Sequence, residues 1–311
     1  MTKLFDVLVA GEINPDLILA GNVTPEFGQV EKLVDSATLT IGSSSAIFAC
    51  GAARLGLRVA FVGVCGNDVW GYFMRTALQQ RDVDVSHVMS VRGGETGLSV
   101  ILNREGGSDR AILTHSGLIG ALTAEMVTDE VLQQARHLHV AGYFIQTGLR
   151  PGLPSLFARA HALGLTTSLD TNYDPTGTWA GLADLWPHTD IFLPNAAEAC
   201  ALTGETEVPL ALAALSQRLP IVAVKRGSAG AVLQTGAHIF EAPTLNFEVV
   251  DTVGAGDTFD AGFIYGYLHQ WPLEQALHLA TTCGALSTRG AGGTTTQPTL
   301  AEALAFITPS P

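Results

Sequence analysis

The chain has 311 residues, enough for about two average domains or one large α/β unit. Sixteen Lys and Arg against 29 Asp and Glu give a net charge of −13, and 47% of the residues are apolar, which excludes intrinsic disorder. No run of Lys or Arg is present to neutralise phosphates, and this argues against a nucleic-acid partner or an anionic membrane surface. We therefore expect a small-molecule partner.

Two further features concern location and metal binding. No apolar stretch approaches the roughly 20 residues of a membrane span, and Asp6 interrupts what would be the apolar core of a signal peptide, so a cytoplasmic location is expected. The four cysteines lie far apart in the sequence, which favours neither a disulfide framework nor a structural zinc site. His137 and His139 alternate along an apolar run and are interpreted as structural.

Short apolar runs alternate with helical patterns along most of the chain. The runs predict buried strands at residues 6–11, 59–64, 137–141, 166–169, 191–193 and 221–225. The helical patterns predict helices at residues 46–55, 71–81, 153–163, 210–219 and 258–268. Strands that alternate with helices of about ten residues are typical of βαβ units, so we predict an α/β fold with a mostly parallel sheet covered on both faces.

Two segments, about residues 17–41 and 97–114, break this alternation. Each segment is interpreted as a pair of strands joined by polar residues. Strands without a crossover helix do not readily extend a parallel sheet, so both segments are predicted to form a small antiparallel lid. No linker or internal repeat divides the chain, and we expect a single α/β domain over residues 1–311.

The most informative stretch is Asp251-Thr-Val-Gly-Ala-Gly-Asp257-Thr-Phe, which runs into the predicted helix at 258–268. Small residues at its entrance let a ligand approach the backbone, where the N–H groups of a first helical turn form an anion hole. The helix dipole favours a carboxylate, so Asp257 is expected to stay ionised at neutral pH and to accept a proton from a substrate hydroxyl. The alternative is a tight turn in which Asp257 only caps the helix.

This stretch, with the Ala261-Gly262-Phe263 that follows it, closely resembles the C-terminal signature of the PfkB, or ribokinase-like, carbohydrate kinases. Further stretches that resemble the family lie at residues 11–16, 42–56, 63–71, 194–198 and 224–231. The resemblance implies a ribokinase-like three-layer sandwich with a mostly parallel central sheet and a small β lid. It also implies ATP and Mg²⁺ as requirements, with K⁺ as an addition, and a homodimer formed through the lid strands.

The resemblance assigns the general base, the anion hole and the residues that bind the sugar. Asp257 is the general base, and the anion hole is formed by Gly254, Ala255, Gly256 and Asp257. Sugar hydroxyls are held at the positions of Asn14, Asp16, Gly42 and Ser43. Asp68, in a turn that also matches the family, is interpreted as a helix cap instead.

The resemblance also assigns the groups that hold the nucleotide and the metals. Asn195 and Glu198, three apart at a helix start, would organise hydrated Mg²⁺; the same pair alone is typical of a capping box. Lys225 and Gly227 would lie beside the nucleotide, although a lysine at a strand end is also an ordinary surface feature. Asp251 and Val253, with residues 290–293, would hold a monovalent cation, unless Asp251 simply shapes its loop.

Three positions depart from the family pattern. Ser43 stands where the family usually has a second glycine, and Ile47 stands where it has a sugar-contacting Asn. Asp174 replaces the basic residue found in relatives that bind acidic or phosphorylated sugars, which speaks against an anionic substrate. These departures bear on which sugar is bound rather than on phosphoryl transfer.

The predicted function is ATP-dependent transfer of the γ-phosphoryl group to a hydroxyl, expected to be a primary hydroxymethyl, of a neutral sugar. Phosphoryl transfer needs in-line positioning, charge neutralisation and a proton acceptor, and the residues above supply all three. Two alternatives remain: a nucleoside kinase of the same family, and a sugar or nucleotide sensor without turnover. The sequence has neither a P-loop nor the Gly-x-Gly-x-x-Gly of a dinucleotide site, which argues against a dehydrogenase.

Overall fold

The computed structural model describes residues 3–104 and 110–307. In these residues the strands are β1 (Phe5–Ala10), β2 (Pro15–Gly21), β3 (Ser36–Ile41), β4 (Val59–Gly66), β5 (Val83–Val91), β6 (Leu98–Arg104), β7 (Arg110–His115), β8 (Ala135–Val140), β9 (Thr166–Leu169), β10 (Ile191–Phe192), β11 (Ile221–Lys225), β12 (Ala231–Thr235) and β13 (His238–Ala242). The α-helices are α1 (Ser44–Arg54), α2 (Val69–Gln79), α3 (Asp129–Leu132), α4 (Leu153–Ala162), α5 (Ala196–Thr203), α6 (Val208–Ser216), α7 (Ala255–Leu268), α8 (Leu273–Ser287) and α9 (Leu300–Leu304).

A large sheet forms the centre of the molecule, with strand order β13-β12-β11-β10-β9-β8-β1-β4-β5. Neighbouring strands are parallel from β11 to β5, whereas the pairs β11–β12 and β12–β13 are antiparallel, so that β12 runs opposite to the other strands. This confirms the predicted α/β fold and its mostly parallel sheet. Strands β5, β12 and β13 and helix α8 had not been predicted.

The sheet is covered on both faces because its strands are apolar on both sides. Along β1, Val7 and Val9 enter one core cluster, and Leu8 and Ala10 enter the other, as the alternation of side chains along a strand requires. Helices α1, α2, α7 and α8 cover the first face, and α4, α5 and α6 cover the second. The result is the predicted three-layer arrangement.

A second, four-stranded sheet has the order β3-β2-β6-β7 and corresponds to the predicted lid. The pairs β2–β3 and β6–β7 are antiparallel as expected, but β2 and β6 are parallel. The expectation of a wholly antiparallel lid was therefore wrong. The chain between β2 and β6 passes through α1, β4, α2 and β5 of the main body, and a connection of that length allows parallel pairing.

Parallel strands bring their carboxyl ends to one edge of the sheet, where ligands bind in open α/β folds. Strands β1, β8, β9, β10 and β11 all end at this edge, and the residues that follow them form the site described below. In the part of the chain that the structure describes, no helix is long and apolar enough to cross a membrane.

Candidate active site

Helix α7 begins at Ala255, with Gly254 as its N-cap at φ 73°, so residues 254–257 form its first turn and entrance as predicted. A Cβ on Gly254 would lie 2.7 Å from Cα of Gly293, so both the conformation and the space require glycine. Among the described residues no side chain caps this helix. The N–H of Ala255 is directed to the carbonyl of Thr252, at 3.3 Å, and the rest of the uncapped turn is suited to an anion.

Asp257 lies in this turn with 6% of its surface exposed. Burial, and next the Asp170 carboxylate, raise its pKa well above the ordinary value, while a hydrogen bond from Ser44 acts to lower it. The effect of the helix dipole, which favours the carboxylate, is opposed here by burial, which disfavours the charged form. A carboxylate with a raised pKa is a stronger base once it is deprotonated.

Lys225 at the end of β11 contacts two further buried acids. Its Nζ donates to Oδ2 of Asp170 at 2.7 Å and to Oδ1 and Oδ2 of Asp260 at 3.1 and 3.2 Å. Only 12% of the Lys225 side chain is exposed, so the interpretation of an ordinary surface lysine was wrong. Burial acts to lower the pKa of Lys225, but Asp170 and Asp260 outweigh it and raise that pKa. The lysine is therefore a buried cation.

The residues predicted to bind the sugar lie close together at the base of the lid sheet. Nδ2 of Asn14 lies 3.4 Å from Oδ1 of Asp16 and 3.3 Å from Oγ of Ser99. Asp16 and Ser99 are register partners on β2 and β6, and a Cβ on Gly42 would collide with the Asp16 carboxylate. Asn14, Asp16 and Gly42 are thus brought together, and Ser99 joins them although the sequence analysis had not selected it.

Ser43 lies nearby with its side chain turned into the protein. Its hydroxyl donates to the carbonyl of Glu12 at 2.7 Å and accepts from the N–H of Ala46 at 3.0 Å. Ser43 has φ 67° and ψ 122°, a conformation natural to the glycine that the family has here. Burial raises the pKa of Glu12, although Ser45 and Ser43 hydrogen-bond to its carboxylate and act to lower it.

Asn195 and Glu198 form the capping box of α5. Oε2 of Glu198 accepts from the Asn195 N–H at 2.9 Å, and the N–H of Glu198 donates to Oδ1 of Asn195 at 3.0 Å. Burial and then the Asp170 carboxylate raise the pKa of Glu198 to about 7. The structural alternative is therefore observed for this pair, and its Mg²⁺ role stays a prediction.

The loop before α7 is organised by Asp251. Its Oδ1 accepts from the N–H of Val253 at 3.0 Å, and its Oδ2 accepts from the N–H of Gly292 at 2.9 Å. Asp251 thus shapes the loop, and the cation role of Asp251 and Val253 stays a prediction. Ile47 packs under the same loop, with its Cδ1 2.5 Å from where a Cβ on Gly293 would lie, so this departure fills space there.

Two other predicted positions lie apart from these contacts. Gly227 is exposed and begins a 3₁₀ turn after β11, and its place beside a nucleotide stays a prediction. Asp174 folds onto its own loop, where its carboxylate accepts from the N–H groups of Thr176 and Trp179 at 2.9 and 2.7 Å. Asp68 caps α2 as interpreted, and it also accepts from the N–H of Thr96 at 2.7 Å.

Four residues of the site had not been assigned to it from the sequence: Asp170, Asp260, Ser44 and Asn172, although Asp170 and Asn172 belong to the stretch that ends at Asp174. Nδ2 of Asn172 donates to Oγ of Ser44 at 3.0 Å, and Ser44 acts to lower the pKa of Asp257. One signal was available for Asp260, because residues three apart share a helix face and Asp260 is three positions after Asp257. The other residues become neighbours only when β9 and α1 meet α7.

The family model described as "pfkB family carbohydrate kinase" matches residues 5–300. The chain belongs to this family. As a pfkB-family protein it is a carbohydrate kinase, a phosphotransferase. It is 33% identical over 305 residues to an ATP-dependent ribose-1-phosphate kinase of Halopiger xanaduensis, with 97% of each chain covered. It is 31% identical to the 2-dehydro-3-deoxygluconokinase of Bacillus subtilis, over 91% of this chain and 90% of the relative.

Solved structures share the fold of this pfkB-family kinase. A protein described as a ribokinase II of Escherichia coli, solved in complex with ATP and Mg²⁺, superposes with a TM-score of 0.87 at 24% identity. The match covers 97% of this chain and 99% of that one. The ribokinase fold with its separate lid sheet is thereby confirmed.

Proposed function

We propose that this kinase transfers the γ-phosphoryl group of ATP to a primary hydroxymethyl of a neutral sugar. The observation that carries the proposal is the position of Asp257, a buried carboxylate with a raised pKa in a helical turn that none of the described side chains caps. Such a turn holds phosphate oxygens, and such a carboxylate takes a proton from a hydroxyl beside them.

The reaction follows from these two groups. Asp257 accepts the hydroxyl proton as the sugar oxygen forms a bond to the γ-phosphorus, and the bond from that phosphorus to the bridging oxygen of ADP breaks. The N–H groups of the first turn of α7 stabilise the negative charge on the phosphoryl oxygens without reorganising. Closure of the lid excludes water, which suppresses hydrolysis of ATP.

The charges around the lid support a neutral sugar. Asn14, Asp16 and Ser99 offer hydrogen-bonding groups at the base of the lid, and Glu12 and Asp257 add buried acids. Lys225 is paired with Asp170 and Asp260 rather than directed at the sugar residues of the lid. Carboxyl groups on the sugar side disfavour an anionic substituent on the sugar.

Asn195 and Glu198 suit a hydrated Mg²⁺, because amide and carboxylate oxygens acting through water are typical of its sites. Their oxygens already hold the capping box, which favours support through water over direct ligation. Bound Mg²⁺ would supply neutralisation of phosphate charge. We extend the proposal to K⁺ at Asp251 and Val253, since each Asp251 oxygen accepts one N–H and retains a second lone pair.

The lid also supports the proposal of a homodimer. Its strands and loop expose large apolar side chains, namely Phe27, Leu33, Leu39, Ile112 and Leu113, and exposed apolar patches often mark protein interfaces. Light scattering that gives the monomer mass of 32.6 kDa would refute the dimer.

The substrate is tested by coupled ADP release with ATP, Mg²⁺ and K⁺ against neutral sugars, sugar acids, sugar phosphates and nucleosides. The proposal expects turnover on a neutral sugar and a product phosphorylated at its primary hydroxyl. Turnover confined to a sugar phosphate or sugar acid, the substrate classes named for the two relatives above, would overturn the neutral-sugar part. Turnover confined to a nucleoside would favour the nucleoside kinase. Tight ATP binding without any turnover would favour a sensor.

A further inference from the structure

Three carboxylates and one ammonium group lie together behind the first turn of α7. One oxygen from each of Asp170, Asp257 and Asp260 lies within 4.8 Å of the others, and all three residues are buried. These acids come from the end of β9 and from two successive turns of α7. Lys225 reaches them from the end of β11, and its Nζ contacts Asp170 and Asp260 directly.

Three carboxylate oxygens at this spacing are a donor set that hard divalent cations prefer. The position beside them is taken by the Lys225 ammonium, a compact charge with three donors. The same Nζ lies 3.5 Å from where a Cβ on Gly256 would be, so its charge is also next to the turn suited to an anion. One side chain therefore balances the acids and faces the expected phosphates.

A metal ion inside this cluster would be harmful to the reaction. It would coordinate Asp257 along with its two neighbours, and a carboxylate bound to a cation is a poor proton acceptor. An empty cluster would also be harmful, because buried carboxylates repel each other and the incoming phosphates. A tethered cation avoids both problems, since it is always present and it contacts Asp170 and Asp260 rather than Asp257.

We propose that Lys225 is a tethered counter-ion that takes the place of a divalent cation in the Asp170–Asp257–Asp260 cluster and so keeps Asp257 free of metal. Lys225 is in this sense a positioning residue for the phosphoryl transfer proposed above, on which its catalytic consequence rests. Its exclusion of metal does not depend on that reaction. It also ties β9, β11 and α7 together at the site.

The test compares the parent protein with Lys225→Ala and with Lys3→Ala, a control that removes the same charge. Lys3 precedes β1 and lies at the opposite edge of the sheet, in a cavity with Arg136 and Trp271. Mn²⁺ binding without nucleotide is measured by the loss of the free-ion electron paramagnetic resonance signal. The proposal expects Lys225→Ala to bind one more Mn²⁺ per chain than the parent and the control, and expects Lys225→Ala/Asp260→Asn to lose that extra site.

The kinase assay supplies the second readout. Lys225→Ala is expected to lose about 10²-fold in kcat, the size of effect seen when one preorganised electrostatic group is removed. Ethylammonium is expected to restore part of this loss, and tetramethylammonium, which cannot donate, is not. A structural role alone would show neither the extra Mn²⁺ site nor the selective rescue.

The outcomes separate the two proposals. Equal Mn²⁺ binding by Lys225→Ala and the parent would overturn the counter-ion proposal, whatever the result of the kinase assay. An extra Mn²⁺ site in Lys225→Ala, found together with a parent protein that has no kinase activity, would support the counter-ion proposal and contradict the proposed function. If Lys225→Ala does not fold, Lys225→Met, which keeps most of the side chain and removes its charge, takes its place in the Mn²⁺ measurement. A folded Lys225→Met that binds no more Mn²⁺ than the parent would overturn the proposal.

Discussion

Nδ2 of Asn172 lies 3.0 Å from Oγ of Ser44 and donates to it, so the Ser44 hydroxyl proton remains for another acceptor, and Ser44 acts to lower the pKa of the Asp257 carboxyl. Asn172 is itself fixed, because its Oδ1 accepts from the N–H of Gly142 at 2.7 Å and its φ of 53° is one that Asn tolerates. Hydrogen bonds thus connect the turn after β8, through Asn172, to Ser44 beside the base.

The first prediction concerns the pH dependence of Ser44→Ala. The hydrogen bond from Ser44 lowers the pKa of Asp257, so its removal raises that pKa and moves the acidic limb of the kcat/KM profile to higher pH. On that limb the deprotonated fraction of Asp257, and with it kcat/KM at a fixed pH, falls as the pKa rises. Ser90→Ala, on an exposed part of β5, is the control. If the pH profile of Ser44→Ala equals that of the parent, Ser44 does not influence the pKa of the base.

The second prediction concerns Gly42→Ala. A Cβ at this position collides with the Asp16 carboxylate and lies 2.9 Å from the Asn14 carbonyl oxygen. Asp16 and Asn14, the two residues proposed to bind the sugar, must therefore shift. We expect a rise in the sugar KM with little change in the ATP KM, measured by steady-state kinetics. Gly266→Ala crowds Ala276 at 2.7 Å at the other end of α7 and should leave the sugar KM unchanged. Equal effects on the two KM values in Gly42→Ala would contradict this account.

The third prediction concerns backbone strain at Ser43. Ser43→Gly removes an unfavourable φ of 67° together with the side-chain hydrogen bonds to Glu12 and Ala46, and since these effects oppose each other, its free energy of unfolding should stay within about 1 kcal/mol of the parent. Ser43→Ala keeps the strain and loses the hydrogen bonds, at a cost of about 1–3 kcal/mol. Urea denaturation measures both. A glycine variant less stable than the alanine variant would show that the strain is negligible.

The fourth prediction concerns Mg²⁺ and pH. Burial and Asp170 raise the pKa of Glu198 to about 7, so Glu198 is charged above that pH and becomes neutral below it. The Mg²⁺ concentration for half-maximal activity should therefore rise as the pH falls from 8 to 6. Glu198→Gln, which has no charge to lose, reports the contribution of the nucleotide's own titration. Identical pH dependence in the parent and Glu198→Gln would remove Glu198 from the Mg²⁺ site.

Much of this fold could be predicted because its signals are local. The strand at 221–225, Ile-Val-Ala-Val-Lys, was placed correctly, since a buried parallel strand is a short apolar run with a polar end. The strand at 166–169 was also placed correctly, although three of its four residues are Thr or Ser. The parallel pairing of β2 with β6 could not be predicted, because those strands are joined only through the main body of the fold. The exposed strand β13 lacks a continuous apolar run.

The residues of the site likewise fall into those that the sequence predicts and those that only the fold brings together. The turn from Gly254 to Asp257 could be predicted because its glycines and its carboxylate are adjacent in the sequence. The pairing of Lys225 with Asp170 could not, since 55 positions separate them and only the adjacency of strand ends joins them. The upward direction of the Asp257 pKa shift was not predicted, because a helix dipole is visible in the sequence, whereas burial and the charge of Asp170 are properties of the folded chain.

The most direct test of the central claim is ADP release by Asp257→Asn on the sugar that the parent phosphorylates. Asn cannot accept the hydroxyl proton, so kcat should fall by about 10²–10⁴-fold, the range of general-base catalysis, with ATP binding retained. Asp174→Asn, the same change at another buried carboxylate, should stay near the parent. Activity of Asp257→Asn within a few-fold of the parent would contradict the assignment of Asp257 as the base.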